Sequence, residues 1–546
     1  MTNPAENFSE KIVPAPVQKS VPVRGFMLDV SRGRVPTLSE LFAVAELCAR
    51  LGFNELQLYV EHTFAFAAHE EVWRDASPLL PTEIRALDAF CAARGIELVP
   101  NLNSFGHVER WLRHEKYKAL AECPNGFFHE IFKTFRAAGT FAAGEESANF
   151  MGALYREFLP NFSSKTFNVG GDEPWELGQG RSRELCARRG KLAVYLEHMA
   201  RLKAHAFAAG SRKIQFWADV LLGDATEIPA GFLRGTVPVI WGYEAGNPFA
   251  SQCARVRSAL EKIAHADAIS GDGAEFYVAP GTSAWLSFGT RQSNAFANIR
   301  DACDAAKAQG ARGVLLTTWG DFGYHNPFSA NLFPLIFCAA AARGVPAPES
   351  ASDFAEILGS TLAFPHATAL AEPLFAFGKL DDFFAKKITN RSLIREFFFA
   401  EQRALPQLAD GVSVDETSAA LAELGKILSL VEKIPTDANS AGTAEANRSG
   451  TTDANGAGTT PGGSGAPKNF YALHCARYAP EFRVAAEMAL AAVKRADAFL
   501  RGDAATLSAV EAEICGRLKE NFATAWRLRD REGGLAESLS YFPGAR

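Results

Sequence analysis

Two adjacent carboxylates, Asp172 and Glu173, are the side chains of this 546-residue sequence whose type and setting best suit chemistry. Side-by-side acids at a strand end repel one another, which pushes their pKa values apart. One can then stay protonated as a general acid while its neighbour stays charged. The stretch that carries them, 166–178, reads TFNVGGDEPWELG. Its first four residues are a short β-branched and apolar run, the pattern of a buried strand. Gly170 and Gly171 then let the backbone turn or approach a neighbour closely, and Pro174 ends ladder hydrogen bonding. Taken alone, an Asp-Glu pair is more often a solvated acidic turn. The elements around it decide otherwise.

Apolar, strand-like runs occur at 23–30, 55–60, 97–102, 166–169, 213–220, 237–243, 275–280 and 313–319. Amphipathic helical patterns ending at Gly or a basic residue separate most of them: 39–50, 82–94, 191–209 and 294–309. The connection over 222–235 is too short and interrupted for a full helix. Eight strands alternating with helices predict an α/β fold, a (β/α)8 TIM barrel, for which ~250 residues is typical before insertions. A doubly wound open sheet is the competing topology, but no Gly-rich dinucleotide fingerprint follows the first strand.

In such a barrel the catalytic groups gather at the C-terminal ends of the strands, and polar and aromatic residues cluster there. The ends carry Asp29, Glu61 and His62, Asn103 and His107, Asp172 and Glu173, Trp217 and Asp219, Trp241 and Glu244, and Trp319 and Asp321. Tyr277 lies on the seventh run with Trp285 beyond it, and Arg24 flanks the first. Flat aromatic walls among carboxylates and amides suit a sugar ring, whose C–H faces stack while its hydroxyls need acceptors. Each residue has a plainer role too. The tryptophans could cap the barrel core, His62 and His107 could be hydrogen-bonded structural histidines, and Arg24 could pair with Glu61 or Asp29. Their placement at successive strand ends favours a carbohydrate site. No paired-His spacing suggests a metal.

The net charge of −6 favours neither nucleic acid nor an anionic membrane as partner. No run reaches the ~18–20 apolar residues of a membrane span, and the first twenty residues lack the pattern of a secretory signal. Nine singly scattered cysteines read as thiols in a reducing compartment, so a cytoplasmic protein is expected.

RGFMLDVSRGRVP, LQLYVEHTFAF, ELVPNLNSFGH, NVGGDE, QFWAD, WGYE, FYVAPGTSAW and TTWGD, in this order over roughly residues 22–345, together resemble glycoside hydrolase family 20, the β-N-acetylhexosaminidases. The resemblance is closest to a branch that begins almost directly with the barrel. It implies removal of terminal β-linked GlcNAc or GalNAc by substrate-assisted catalysis, without cofactor or metal. Glu173 would be the general acid and later the base, and Asp172 would hold the substrate's 2-acetamido group. Tyr277 would hydrogen-bond the acetamido oxygen. Trp217, Trp241, Trp285 and Trp319 would form the aromatic walls. Arg24 and Asp321 would bind sugar hydroxyls, and His107 would support the acid. The chain departs from the family pattern at Asn168 (commonly His), Glu61-His62 (commonly paired Asp), Ala279 (a carboxylate in some members) and Asp321 (usually Glu). Independently of the family, a protein nucleophile would need a second carboxylate roughly 5–5.5 Å from the acid. The seventh strand offers none, though Asp219, Glu244 and Asp321 stay open as stand-ins. Two other readings therefore stay open: a nucleophile-dependent β-glycosidase on the same fold, and a silent sugar-binding protein.

The expected organisation is an N-terminal extension (1–21), the catalytic barrel (22–345) and a mostly helical C-terminal domain (346–546). Residues 435–469 contain no Val, Ile, Leu, Met or aromatic residue, and TDAN-x-AGT occurs there twice. That composition predicts a disordered insertion. Homodimerisation, shaping of the aglycone side and structural support are the roles open to the helical domain.

Overall fold

The computed structural model describes residues 20–223, 230–267, 275–364, 366–434 and 475–544. The low-complexity stretch at 435–469 lies outside the described residues, as does all but the end of the N-terminal extension.

Ten strands are described: β1 (Val23–Asp29), β2 (Glu55–Val60), β3 (Glu97–Leu102), β4 (Phe127–His129), β5 (Thr134–Arg136), β6 (Thr166–Asn168), β7 (Lys213–Trp217), β8 (Thr236–Trp241), β9 (Tyr277–Ala279) and β10 (Gly313–Thr318). Eight of them close into a parallel barrel in the order β1-β10-β9-β8-β7-β6-β3-β2. Each overlaps one of the runs read from the sequence. Six are shorter than their runs, β7 and β9 by three residues each. β6 stops at Asn168 because Gly170 and Gly171 take φ of 72° and 88°, and β9 ends before Pro280, which has no N–H to continue a ladder. The hairpin β4–β5 falls in the long β3–β6 connection, where the sequence pattern gives no sign of it.

The helices begin and end where local chemistry dictates. Leu38–Leu51 starts at Thr37, whose side chain accepts from the Glu40 N–H, and stops at Gly52, with φ of 81°. Pro81–Ala92, Lys191–Ala208 and Gln292–Gln309 match the other amphipathic patterns within two residues at each end. The β7–β8 connection carries only the short helices Asp219–Gly223 and Ala230–Leu233 among its described residues.

Apolar burial divides into two cores. The larger lies between strands and helices and runs on without a break into the C-terminal helices, from Val21 to Phe542. The smaller fills the barrel and rises to its mouth: Met27, Tyr59, Trp217, Tyr277, Trp285, Leu315 and Trp319, with Trp241 and Tyr243 packed against it. Inside the barrel, against the smaller core, sits a buried polar layer. Gln57 Nε2 donates to Glu55 and Gln215 at 2.7 Å each, while Gln57 Oε1 accepts from Asn101 at 2.9 Å and Asn168 at 3.2 Å. Buried polar groups must pair, and Asn168 spends its other end on the Gly170 N–H at 3.0 Å. The residue that departs from the family pattern thus secures the turn leading to Asp172.

Beyond the barrel the described chain is helical, with Val414–Val431 and Cys475–Arg501 the longest elements. It docks through buried ion pairs. Arg529 bonds Glu40 of the first barrel helix and Glu481 (2.9 Å), and Arg34 meets Asp530 at 3.0 Å. Removing one partner of such a buried set leaves the other charge uncompensated. Among the described residues no helix is long and apolar enough to cross a membrane.

Candidate active site

The acid pair hangs from a loop with little freedom. A side chain at Gly170 would overlap Asn103, and one at Gly106 would run into the Asp172 carbonyl, so the loops after β3 and β6 lie in backbone contact. Asn103 joins them: its Oδ1 accepts from Gly171 N at 3.3 Å, and its Nδ2 donates to Asp172 Oδ1 at 3.1 Å and to the Tyr59 hydroxyl at 3.0 Å. The Tyr195 hydroxyl holds the Gly171 carbonyl at 2.9 Å. His107 and Glu173 both take left-handed backbone, with φ of 53° and 46°. Strained positions of this kind concentrate at functional sites.

His107 Nε2 lies 3.2 Å from Asp172 Oδ2 and 3.5 Å from Glu173 Oε2. Burial alone would lower this imidazole, but the Asp172 carboxylate outweighs it and raises His107 to about 10. Asp172 is buried, which by itself favours the neutral acid. Imidazolium and Arg32 overcome that and hold it below the usual Asp range. Glu173 has a side chain 32% exposed at the mouth. Burial, helped by repulsion from Asp172, leaves it above the usual Glu range even though His107 opposes the shift. The two carboxyls are therefore split, one charged and one biased toward the acid form. Asp219 makes a third member: it accepts from Glu173 N at 3.1 Å and Trp241 Nε1 at 3.3 Å, and burial beside Asp172 pushes it up to about 7.

Across the mouth stands a polar and aromatic wall. Asp29, fully buried, accepts from the backbone N–H of Ser31, Arg32 and Gly320, which ties the end of β1 to the loop after β10. That staple aims Arg32 into the site, where it meets Asp321 at 3.0 Å and Glu61 at 3.2 Å. Its guanidinium lies 4.8 Å above Trp319 and 5.1 Å above Tyr59. Glu61, which also accepts from Tyr59 at 2.9 Å, is raised by burial to about 7 against the pull of Arg32. Tyr243 stacks on Trp241 at 5.2 Å, meets Trp285 edge-on at 5.0 Å and lies 6.4 Å from Trp319. Trp217 sits 6.0 Å from Trp319, and its buried indole N–H has no acceptor among the described residues. The arrangement offers a split acid pair, flat walls, and forked donors and acceptors for hydroxyls at the mouth of the barrel.

The description "Glycosyl hydrolase family 20, catalytic domain" matches residues 22–342. The chain belongs to glycosyl hydrolase family 20. It is similar to Hexosaminidase D of Bos taurus, 26% identical over 224 residues, 39% of this chain and 61% of that protein. It is 24% identical to Hexosaminidase D of Homo sapiens over 221 residues, 39% of this chain and 43% of that protein. The match thus spans less than two thirds of either relative. A solved β-N-acetylhexosaminidase from Bacteroides fragilis NCTC 9343 is 18% identical, with a TM-score of 0.46, over 63% of this chain and 70% of that one.

For this family 20 chain the structure gathers Asp172, Glu173, His107, Glu61, Asp321, Trp217, Trp241, Trp285 and Trp319 at one mouth. Two expected residues lie elsewhere. Arg24 opens β1 at the opposite end of the barrel, where it bonds the carbonyls of Gly52 at 2.7 Å and Val21 at 2.9 Å. Five residue steps of strand separate it from Asp29, roughly 16 Å at the usual rise. Tyr277 likewise opens β9, and its hydroxyl donates to Glu55 Oε2 at 3.0 Å within the barrel floor. Both lie away from the acid pair for one reason: these residues start their strands, and only the C-terminal ends reach the mouth. An arginine and a tyrosine that do stand at the mouth are Arg32 and Tyr243. His62 is buried and kept neutral, lowered to about 3 by burial and the nearby arginines. Among the described residues no hydrogen bond or ion pair joins it to the acid pair.

Arg32, Tyr59 and Tyr243 complete the site beyond the residues named from the sequence, and Asn103 and Asp219, named there only as strand-end residues or a stand-in nucleophile, bond Asp172 and the Glu173 N–H. Each lies at or within a few positions of a strand end, so a strict application of the strand-end rule would have selected Arg32 over Arg24. Of the stand-in carboxylates, Glu244 is clamped by Arg291 at 2.9 and 3.1 Å and Asp321 by Arg32. Among the described residues no cluster of three or more His, Cys, Asp or Glu is arranged to hold a metal ion.

Proposed function

We propose that this chain is an exo-acting, retaining β-N-acetylhexosaminidase that uses the substrate's own 2-acetamido group as nucleophile. The observation that carries the reading is the division of the acid pair: Asp172 buried and ionised against His107 and Asn103, Glu173 at the mouth and shifted toward the protonated form. A carboxylate that must stay charged beside a cationic intermediate needs the first environment, and a proton donor needs the second.

In the first step the acetamido oxygen attacks the anomeric carbon, and Glu173 gives its proton to the departing glycosidic oxygen. The C–O bond breaks and a cyclic oxazolinium forms. Asp172 stabilises the positive charge developing on its nitrogen, and the Tyr243 hydroxyl, which faces Thr317 and Trp319, is the donor nearest in kind for the acetamido oxygen. In the second step water attacks the same carbon, Glu173 takes its proton, and the ring opens to the N-acetylated sugar with retained configuration. Arg32, Asp321 and Glu61 offer forked contacts to ring hydroxyls. The relatives' printed name, Hexosaminidase D, points to the same substrate class. A nucleophile-dependent mechanism has less support: Glu244 and Asp321 are each engaged by an arginine, and Asp219 is pushed up to about 7 while accepting two hydrogen bonds.

Turnover of nitrophenyl β-GlcNAc, β-GalNAc and β-glucoside, measured side by side, tests the reading. Activity confined to the acetamido sugars is expected. Equal activity on the glucoside would refute the acetamido mechanism, and no turnover of any of the three would indicate a binding protein.

A further inference from the structure

The helical region does more than lean on the barrel. Its turn at Ile388–Arg391, and the residues just after it, touch the three loops that follow β8, β9 and β10. The Asn390 side-chain oxygen accepts from Trp285 Nε1 at 3.0 Å, and the Asn390 N–H donates to Glu244 Oε1 at 2.8 Å. Ser392 N donates to the Leu286 carbonyl at 2.9 Å, and Arg395 donates to the Phe322 carbonyl at 2.9 Å. An indole N–H can only donate, so the bond fixes which end of the Asn390 amide faces Trp285. Asn390, Leu286 and Phe322 all take left-handed backbone, with φ of 62°, 50° and 51°. Asn tolerates that region better than other side chains.

Trp285 is buried to 1% and has little room: any side chain at Gly281 would strike both its ring and that of Tyr243. Its orientation is therefore passed to Tyr243, whose ring it meets edge-on and whose hydroxyl lies within the electrostatic reach of Asp172 and Glu173. We infer that Asn390 is a positioning residue for the substrate pocket, acting through Trp285 to set the Tyr243 ring on the acetamido side. The inference rests on the hexosaminidase reading above. It makes the helical region a part of the catalytic unit: one amide from outside the barrel, linked to Glu244 and its Arg291 clamp, orders a wall of the pocket.

Two variants test it. Asn390→Gly keeps the left-handed backbone accessible and deletes the acceptor, while Asn390→Asp keeps an acceptor oxygen in place. The readouts are kcat and KM on nitrophenyl β-GlcNAc, affinity for a thiazoline mimic of the cyclised intermediate, and Tm. Asn390→Gly should lose roughly ten-fold in both kcat/KM and thiazoline affinity, the worth of one well-aligned hydrogen bond, and Asn390→Asp should recover most of it. If Asn390→Gly does not fold, Trp285→Phe removes the same bond from the other side and should show the same paired loss. Wild-type kcat/KM and thiazoline affinity in the folded variant, or equal loss in the Gly and Asp variants, would overturn the role of Asn390. Failure of the wild type to turn over any N-acetylhexosaminide would instead refute the functional reading itself.

Discussion

Asp172→Asn should abolish most activity in a way that no improvement of the leaving group restores. The buried carboxylate of Asp172 is held by Asn103 at 3.1 Å and His107 at 3.2 Å, where solvent screens it little. A unit charge about 4 Å from the nitrogen of the forming oxazolinium contributes about 4 kcal/mol at an effective dielectric constant of about 20. Single electrostatic stabilisers of this kind are commonly worth ~2.7–4 kcal/mol, or about 10²–10³ in rate. The assay is kcat/KM across aryl N-acetyl-β-glucosaminides whose leaving groups span poor to activated. Asp172→Asn should lose about 10²–10³ on all of them. Glu173→Gln should lose most on poor leaving groups and much less on activated ones, which need little protonation to depart. Asp172 also repels Glu173 and helps keep its proton on, so Asp172→Asn should move the alkaline limb of the pH profile to lower pH. The reasoning fails if Asp172→Asn costs under about ten-fold, where a lost stabiliser should cost ~10² or more. It fails equally if azide rescues the variant as an α-glycosyl azide, which would make Asp172 a conventional nucleophile.

His107 is raised to about 10 in the folded chain, so its ion pairing contributes stability that is fully present below its ordinary pKa of about 6.5 and lost as pH rises through 10. The Tm of the wild type should therefore fall more steeply over that window than the Tm of His107→Gln. Arg32→Met should raise KM and lower kcat/KM on nitrophenyl β-GlcNAc, whereas Arg24→Met should leave both kinetic constants unchanged. Arg24→Met should instead lose roughly 1–3 kcal/mol in chemical denaturation, because its hydrogen bonds serve the floor of the barrel. Gly170→Ala should lose roughly 1–2 kcal/mol from its left-handed backbone. Its clash with Asn103 should add a larger drop in kcat than in KM, measured at a temperature where the variant is fully folded.

The barrel was legible because strand and helix leave different periods in a chain. Runs such as 166–169 and 313–319, each followed by Gly and separated from the next by amphipathic patterns, mark buried strands. The acid pair was legible for a related reason: Gly170-Gly171 before Asp172-Glu173, at the end of such a run, is a strand turning to present carboxylates. That the two would resist equal ionisation also follows from adjacency, but which of them keeps its charge does not.

What the linear order could not decide was what would stand opposite each residue once the barrel closed. Arg24 and Arg32 are eight positions apart with near-identical chemistry. Their order relative to β1 already sends Arg24 to the floor, and the closure of β1 between β2 and β10, with the Asp29 staple, decides what Arg32 meets at the mouth. Tyr277 and Tyr243 were separated in the same way. Contacts across the longest sequence distances were equally hidden, because no local pattern encodes a pairing such as Trp285 with Asn390, 105 residues apart, or His107 with Asp172. Periodicity and turn chemistry are properties of neighbouring residues and are written into the sequence itself. The ionisation of Asp172, the tilt of the Tyr243 ring and the reach of the helical region into the pocket depend on distances set by packing, and only the closed tertiary structure determines them.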